Sequence, residues 1–163
     1  MVAKLIREEK PARVYIDVGG LGAGIYDRLI ELGHDRIVVG VNFGGKPHEH
    51  DVFDENGRPA GGPANRRAEL WMTMRKALEA GRFRLPDSNS LQADLVSCGY
   101  KYDSAGRLVV ESKQDMRRRG VPSPDEGDAV ALTFAGPAGR VIEARPEPRV
   151  YNLGNHRGSW MAT

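Results

Sequence analysis

The chain has 163 residues, 40% hydrophobic and 28% charged, with a net charge of +2 and a single cysteine, Cys98. Such values fit one globular domain with its own core, exclude an internal disulfide framework, and make the total charge too small to argue for nucleic acid by itself. No 18-residue apolar run and no charged-then-apolar leader occurs, so a soluble, cytoplasmic protein without a membrane partner is expected.

In chain order, residues 2–10 carry a short helical pattern that Pro11 ends. The β-branched and aromatic run Val14 to Val18 follows as a strand, which places Asp17 near its C-terminal end. A helical stripe of Ile25, Leu29, Ile30 and Leu32 stops at Gly33, and residues 37–41 form a second buried-type strand. Strand, helix, strand predicts a parallel crossover. Residues 42–63 lose periodicity and read as a long loop. Helix returns at the Asn65 start and runs to Ala80, with Leu70, Trp71, Met74, Ala77 and Leu78 on one face. Asp87 or Ser88 caps a helix through Ser97, and residues 100–111 read as a hairpin turning at Asp103 to Gly106. Ser112 opens a basic helix to Arg119, and Ser123 is expected to cap a last helix that starts at Pro124 and reaches Phe134. Residues 136–163 form a Pro/Gly-rich C-terminal tail ending in aromatics, beyond a main domain of residues 1–135.

Two features carry chemistry. In VYIDVGGLGAG, residues 14–24, a glycine-rich turn follows a strand that ends in a carboxylate. A dinucleotide site would need different glycine spacing and no fixed negative charge near the pyrophosphate, so the competing readings are a turn capped by Asp17 or a metal held by it. In SPDEGDAVAL, residues 123–132, Asp125 and Asp128 stand three apart on one face of a helix whose other face is apolar. They either complement the positive helix N-terminus or serve, with Asp17, as hard oxygen ligands for Mg²⁺ or Mn²⁺. A third cluster, His48-Glu49-His50-Asp51, offers metal-type donors but at loop spacing, and favours a solvated loop. His34 and His156 read as ordinary surface residues.

Five stretches, taken in order, resemble the C-terminal nuclease domain of the large terminase subunit of tailed bacteriophages. They are Ile16-Asp17-Val18-Gly19-Gly20-Leu21-Gly22-Ala23-Gly24, Val41-Asn42-Phe43-Gly44, Asn65-Arg66-Arg67-Ala68-Glu69-Leu70-Trp71, Glu111-Ser112-Lys113 with Arg119-Gly120, and Ser123-Pro124-Asp125 with Asp128-Ala129. The resemblance spans about residues 1–135. It implies an α/β, partial ribonuclease-H-like fold, in which a parallel strand-helix-strand core is joined by a β-hairpin and flanking helices. It also implies a divalent-metal-dependent DNA endonuclease that cuts concatemeric DNA during genome packaging in the bacterial host cytoplasm, encoded by a phage or prophage. Carried over by position, Asp17 and Asp128 are the catalytic metal ligands of a two-metal Mg²⁺ or Mn²⁺ site and Asp125 an accessory one. Lys113, Arg117, Arg118, Arg119, Arg66 and Arg67 are candidate contacts to double-stranded DNA, each alternatively a solvated or salt-bridging group. Portal and small terminase subunit are the implied packaging partners.

The resemblance also implies a departure. The family's domain begins with a strand bearing its first metal-binding aspartate, whereas Glu8 and Glu9 precede Asp17 here in a helical segment. The expectation is therefore a domain without its first three strands, weak or inactive alone, with an open strand edge that invites a homo-oligomer or cover by the tail. The alternative is a non-catalytic prophage remnant or a module that binds DNA or packaging partners. No Gly-x-x-x-x-Gly-Lys-Ser/Thr stretch occurs, which excludes a P-loop motor from this chain.

Overall fold

The structure, a computed structural model, describes residues 1–48 and 61–136. Helix α1 (Val2–Glu9) ends where Lys10 takes up a left-handed conformation, at φ 46°. Strand β1 (Val14–Asp17) then runs parallel to β2 (Val38–Val41), in the register Val14 to Val38 through Asp17 to Val41. Val18 lies just past the strand and still donates its N–H to the Val41 carbonyl at 2.9 Å. Helix α2 (Gly22–Glu31) makes the crossover, and Gly33 at φ 81° closes it as the glycine after the stripe predicts.

Alternation along the strands sends side chains to two different layers. Val14, Ile16 and Val38 pack against α1 and α2 through Ile6, Leu29, Tyr26 and Ile30. Tyr15, Val39 and Val41 face the opposite way, onto Leu70, Met74 and Ala131. Those partners belong to α3 (Arg66–Glu79) and α6 (Asp125–Leu132). Leu70, 1% exposed, is at the centre of this second layer. Burying a leucine side chain contributes about 1.5 to 3 kcal/mol, so this layer is what fixes α3 and α6 on the sheet.

The remaining elements surround that layer. Helix α4 (Asn89–Ser97) is capped by the Ser88 hydroxyl, which accepts from the Leu91 N–H. The hairpin pairs β3 (Tyr100–Tyr102) with β4 (Leu108–Val110), antiparallel, with Asp103 and Gly106 in its turn. Leu108 also accepts from Ala64 and donates to Gly62, which ties the hairpin to the segment preceding α3. Helix α5 (Lys113–Arg118) opens after Ser112, whose hydroxyl caps it by accepting from the Asp115 N–H.

Helix α6 departs from expectation. Pro124 occupies the cap position rather than the first turn, with ψ 61° outside the helical range, so the helix begins at Asp125 without the hydroxyl of Ser123 as its cap. Its first free N–H groups are taken from a distance instead. Asp94, on α4, accepts from Glu126 N at 2.8 Å and Gly127 N at 3.2 Å. Among the described residues β1 pairs only with β2. The loop cluster from Glu49 to Asp51, His156 and the tail from 137 lie outside the described residues.

Candidate metal and phosphodiester site

Asp17 is placed by a steep turn. The Gly22 Cα comes so close to the end of β1 that an added Cβ would lie 1.8 Å from the Asp17 carbonyl oxygen, which only glycine permits. The Asp17 carboxylate is thus held at the C-terminal end of the parallel strand pair, the end at which open α/β sheets bind ligands. Its Oδ1 accepts from the N–H of Gly19 at 3.0 Å and of Phe43 at 3.3 Å. Its Oδ2 has no hydrogen-bond partner among the described residues. The second of those donors joins β1 to the segment that follows β2.

That segment also carries the N-terminus of α3. The Phe43 carbonyl accepts from Arg67 N at 3.0 Å and the Gly45 carbonyl from Arg66 N at 2.9 Å, while the Asn65 side chain caps Ala68 N at 2.9 Å. The free amides of the helix start are therefore satisfied by the chain leaving β2. One residue, Phe43, contacts Asp17 through its N–H and Arg67 through its carbonyl.

Arg67 continues inward. Its Nε donates to Asp128 Oδ1 at 2.8 Å, a terminal nitrogen donates to the Glu111 carbonyl at 2.7 Å, and its guanidinium lies 5.7 Å from the Trp71 ring centroid. Trp71 Nε1 donates to the same Asp128 oxygen at 2.9 Å. Asp128 is 5% exposed, and both of these bonds go to Oδ1. Oδ2 is buried without a hydrogen bond, and its near neighbour is the Lys113 ammonium at 3.3 Å, an ion-pair contact. Lys113 turns its better contact to Asp125 Oδ1, at 2.7 Å. Burial pulls the Lys113 ammonium downward in pKa, yet the bond to Asp125 and the charge of Asp128 outweigh it, so its pKa stands above the ordinary lysine value.

Of the expected site residues, Asp125 and Asp128 are thus brought together around Lys113. Asp17 shares no direct bond with either among the described residues, but reaches Asp128 by the path Asp17, Phe43, Arg67. Arg66 is buried, pairing with Glu69 at 2.6 Å and donating to the Ala135 carbonyl. Arg119 forks onto the Glu111 carboxylate at 2.8 and 2.6 Å and also donates to the Ser97 carbonyl, and Arg118 pairs with Asp115 at 3.0 Å. Those Arg119 bonds hold the Glu111 carboxyl below its ordinary pKa. Arg117 is exposed and makes no ion pair among the described residues. Cys98 lies against Arg67, and burial pushes its thiol pKa up, opposed by that cation.

The sequence places Phe43 and Trp71 within the resembling stretches, and Trp71 on the apolar face of its helix, without marking either as a site residue, and nothing in it singles out Asp94. The one legible signal was spacing, since Arg67 and Trp71 stand four apart on α3 and so share a face.

Among the described residues no three His, Cys, Asp or Glu side chains gather closely enough to hold a metal ion. The donors present still suit one. Mg²⁺ keeps several waters and is commonly held by one or two carboxylates, and Asp128 Oδ2 is a buried hard donor that accepts no hydrogen bond and has the Lys113 ammonium as its neighbouring cation.

No family model and no curated protein matches the chain. Solved structures do. The nuclease domain of the large terminase subunit gp2 of bacterial virus Sf6 superposes with a TM-score of 0.63 at 22% identity, over 83% of this chain and 70% of that one. A lysine-to-alanine mutant of the same domain with manganese gives 0.63 at 20%, over 82% and 70%, and a mutant with calcium gives 0.63 at 20%, over 82% and 69%. The mixed helix and strand fold, with its parallel strand pair and hairpin, is accordingly similar to the terminase nuclease, ribonuclease-H-like fold. No helix among the described residues is long and apolar enough to cross a membrane.

Proposed function

We propose that this chain is a divalent-metal-dependent DNA endonuclease domain of the terminase type, acting on phosphodiester bonds of double-stranded DNA during genome packaging. The observation that carries the reading is the tie from Asp17 through Phe43 and Arg67 to Asp128, which fixes two separated carboxylates in one framework at the C-terminal end of a parallel strand pair. The likeness to nuclease domains solved with manganese and calcium supports the same choice of ion class.

A bound Mg²⁺ or Mn²⁺ would lower the pKa of a water and neutralise developing charge on the phosphate oxygens. The protein's own part is positional. Asp17 offers Oδ2 at the strand end, and Asp128 offers Oδ2 from α6 with Asp125 one turn earlier. Lys113 holds both α6 carboxylates and is exposed enough to meet a phosphate, and Arg117 adds an exposed cation on the same helix. Arg66 and Arg67 are committed inward, which favours α5 over the start of α3 for phosphate contacts. With no three-carboxylate cluster among the described residues, cleavage by this chain alone should be slow.

Plasmid nicking in Mn²⁺, with Mn²⁺ affinity measured by electron paramagnetic resonance, tests the reading. Nicking, however slow, that disappears in both Asp17→Asn and Asp128→Asn supports it, and nicking that survives both substitutions refutes it. A second reading has its own support, because Asp128 already has two cations, Arg67 and Lys113, and so could serve a structural role in a non-catalytic DNA or packaging-partner module. DNA retention with no Mn²⁺ binding and no nicking would favour that alternative.

A further inference from the structure

We infer that Arg67 and Trp71 are positioning residues that commit one oxygen of Asp128 so that the other is reserved for a divalent cation. The inference rests on the nuclease reading above and names the residues that make it work.

The asymmetry of Asp128 is the starting point. A carboxylate has room for about four hydrogen bonds, two on each oxygen. Here both strong donors, Arg67 Nε at 2.8 Å and Trp71 Nε1 at 2.9 Å, converge on Oδ1. Oδ2 is buried with none, in a side chain only 7% exposed. A buried acceptor without a hydrogen bond costs stability. A cation offsets that cost. Lys113 supplies one at 3.3 Å, and a divalent cation could take the same oxygen in its place.

Both donors are themselves immobilised. The Arg67 guanidinium is fixed at its far end by the Glu111 carbonyl and along its face by Trp71, and its main chain by the Phe43 carbonyl. Trp71 is held by Gly127, whose missing Cβ would stand 3.0 and 3.2 Å from the indole. Neither donor can swing over to Oδ2 without losing several contacts. Lysine at 67 would keep the charge but lose the fork, and phenylalanine at 71 would keep most of the volume but lose the N–H. Partners that orient a metal ligand in this way usually change affinity by roughly 10-fold to 100-fold when removed.

The test is a Mn²⁺ titration of the purified chain by electron paramagnetic resonance, for wild type, Asp128→Asn, Arg67→Lys and Trp71→Phe, each checked for folding by circular dichroism. The expected result is loss of the Asp128-dependent site in Asp128→Asn, and affinity weakened roughly 10-fold in Arg67→Lys and Trp71→Phe. A purely structural role would lower the unfolding midpoint and leave the Mn²⁺ affinity of the folded fraction unchanged. If Arg67→Lys does not fold, Trp71→Phe decides the matter. Affinity within twofold of wild type in the folded variants, with loss only in Asp128→Asn, overturns the positioning role and leaves the nuclease reading standing. Equal Mn²⁺ binding by wild type and Asp128→Asn overturns both.

Discussion

Replacing Arg67 by methionine keeps most of the apolar stem of the side chain and removes its charge and its fork, so it tests chiefly what the guanidinium does. The substitution leaves Asp128, 5% exposed, with Trp71 Nε1 and the Lys113 ammonium as its partners. Breaking a buried ion pair from one side usually destabilises by about 3 to 5 kcal/mol, and the surviving Lys113 contact places this case near about 3. The Glu111 carbonyl also loses a donor, at about 1 kcal/mol. A total of about 4 kcal/mol is a large fraction of the roughly 5 to 15 kcal/mol that holds a domain together. Urea unfolding followed by circular dichroism at 222 nm measures it. The decisive comparison is Arg67→Met/Asp128→Asn, in which no charge is left unpaired and roughly half of the loss should return. If the two substitutions simply add, within about 0.5 kcal/mol, the cost does not come from an orphaned carboxylate and the electrostatic account of this pair is refuted.

Three further outcomes follow from the same geometry. Gly127→Ala should gain about 1 kcal/mol of helix propensity but force the indole outward at a cost of about 1 to 3 kcal/mol, for a net destabilisation of about 1, with altered near-ultraviolet circular dichroism; net stabilisation would mean Trp71 yields freely. Asp94→Ala should remove the cap of α6, lowering stability by about 1 kcal/mol and speeding hydrogen exchange at Glu126 and Gly127, whereas unchanged exchange there would argue against the cap. For pH, the Glu111 carboxyl is depressed first by the Arg119 hydrogen bond, so its contribution is present above its ordinary value of 4.5 and is lost as pH falls through the lower folded value. Arg119→Gln should therefore flatten the decline of stability below about pH 4.5, and an unaltered acid limb would contradict the assignment.

How much of this the sequence discloses depends on whether a contact is local. The separate strands and helices, the hairpin and the cap at Ser88 follow from patterns within a few residues, and the parallel pairing of β1 with β2 from the helix that connects them. The start of α6 was misplaced because its cap, Asp94, comes from another helix some thirty residues away. Asp17, Asp125 and Asp128 stood out as candidates through residue type and position. Their surroundings did not, since pairing Arg67 with Asp128 requires knowing that α3 and α6 pack together. Arg66 and Arg67 show the limit of reading adjacent arginines as one basic patch: one pairs with Glu69 on its own helix and the other with Asp128 across the core.

The link at Phe43 is made entirely by peptide atoms, an N–H to Asp17 and a carbonyl to Arg67. Nineteen of the twenty amino acids supply both groups, and proline alone lacks the first. The identity of residue 43 is therefore constrained by its buried packing in the core and not by the connection it makes. Related chains could exchange this side chain for another apolar one and keep the two carboxylates joined. A substitution survey at the position would register hydrophobicity, and intolerance of proline would be the one trace that the connection leaves in residue identity.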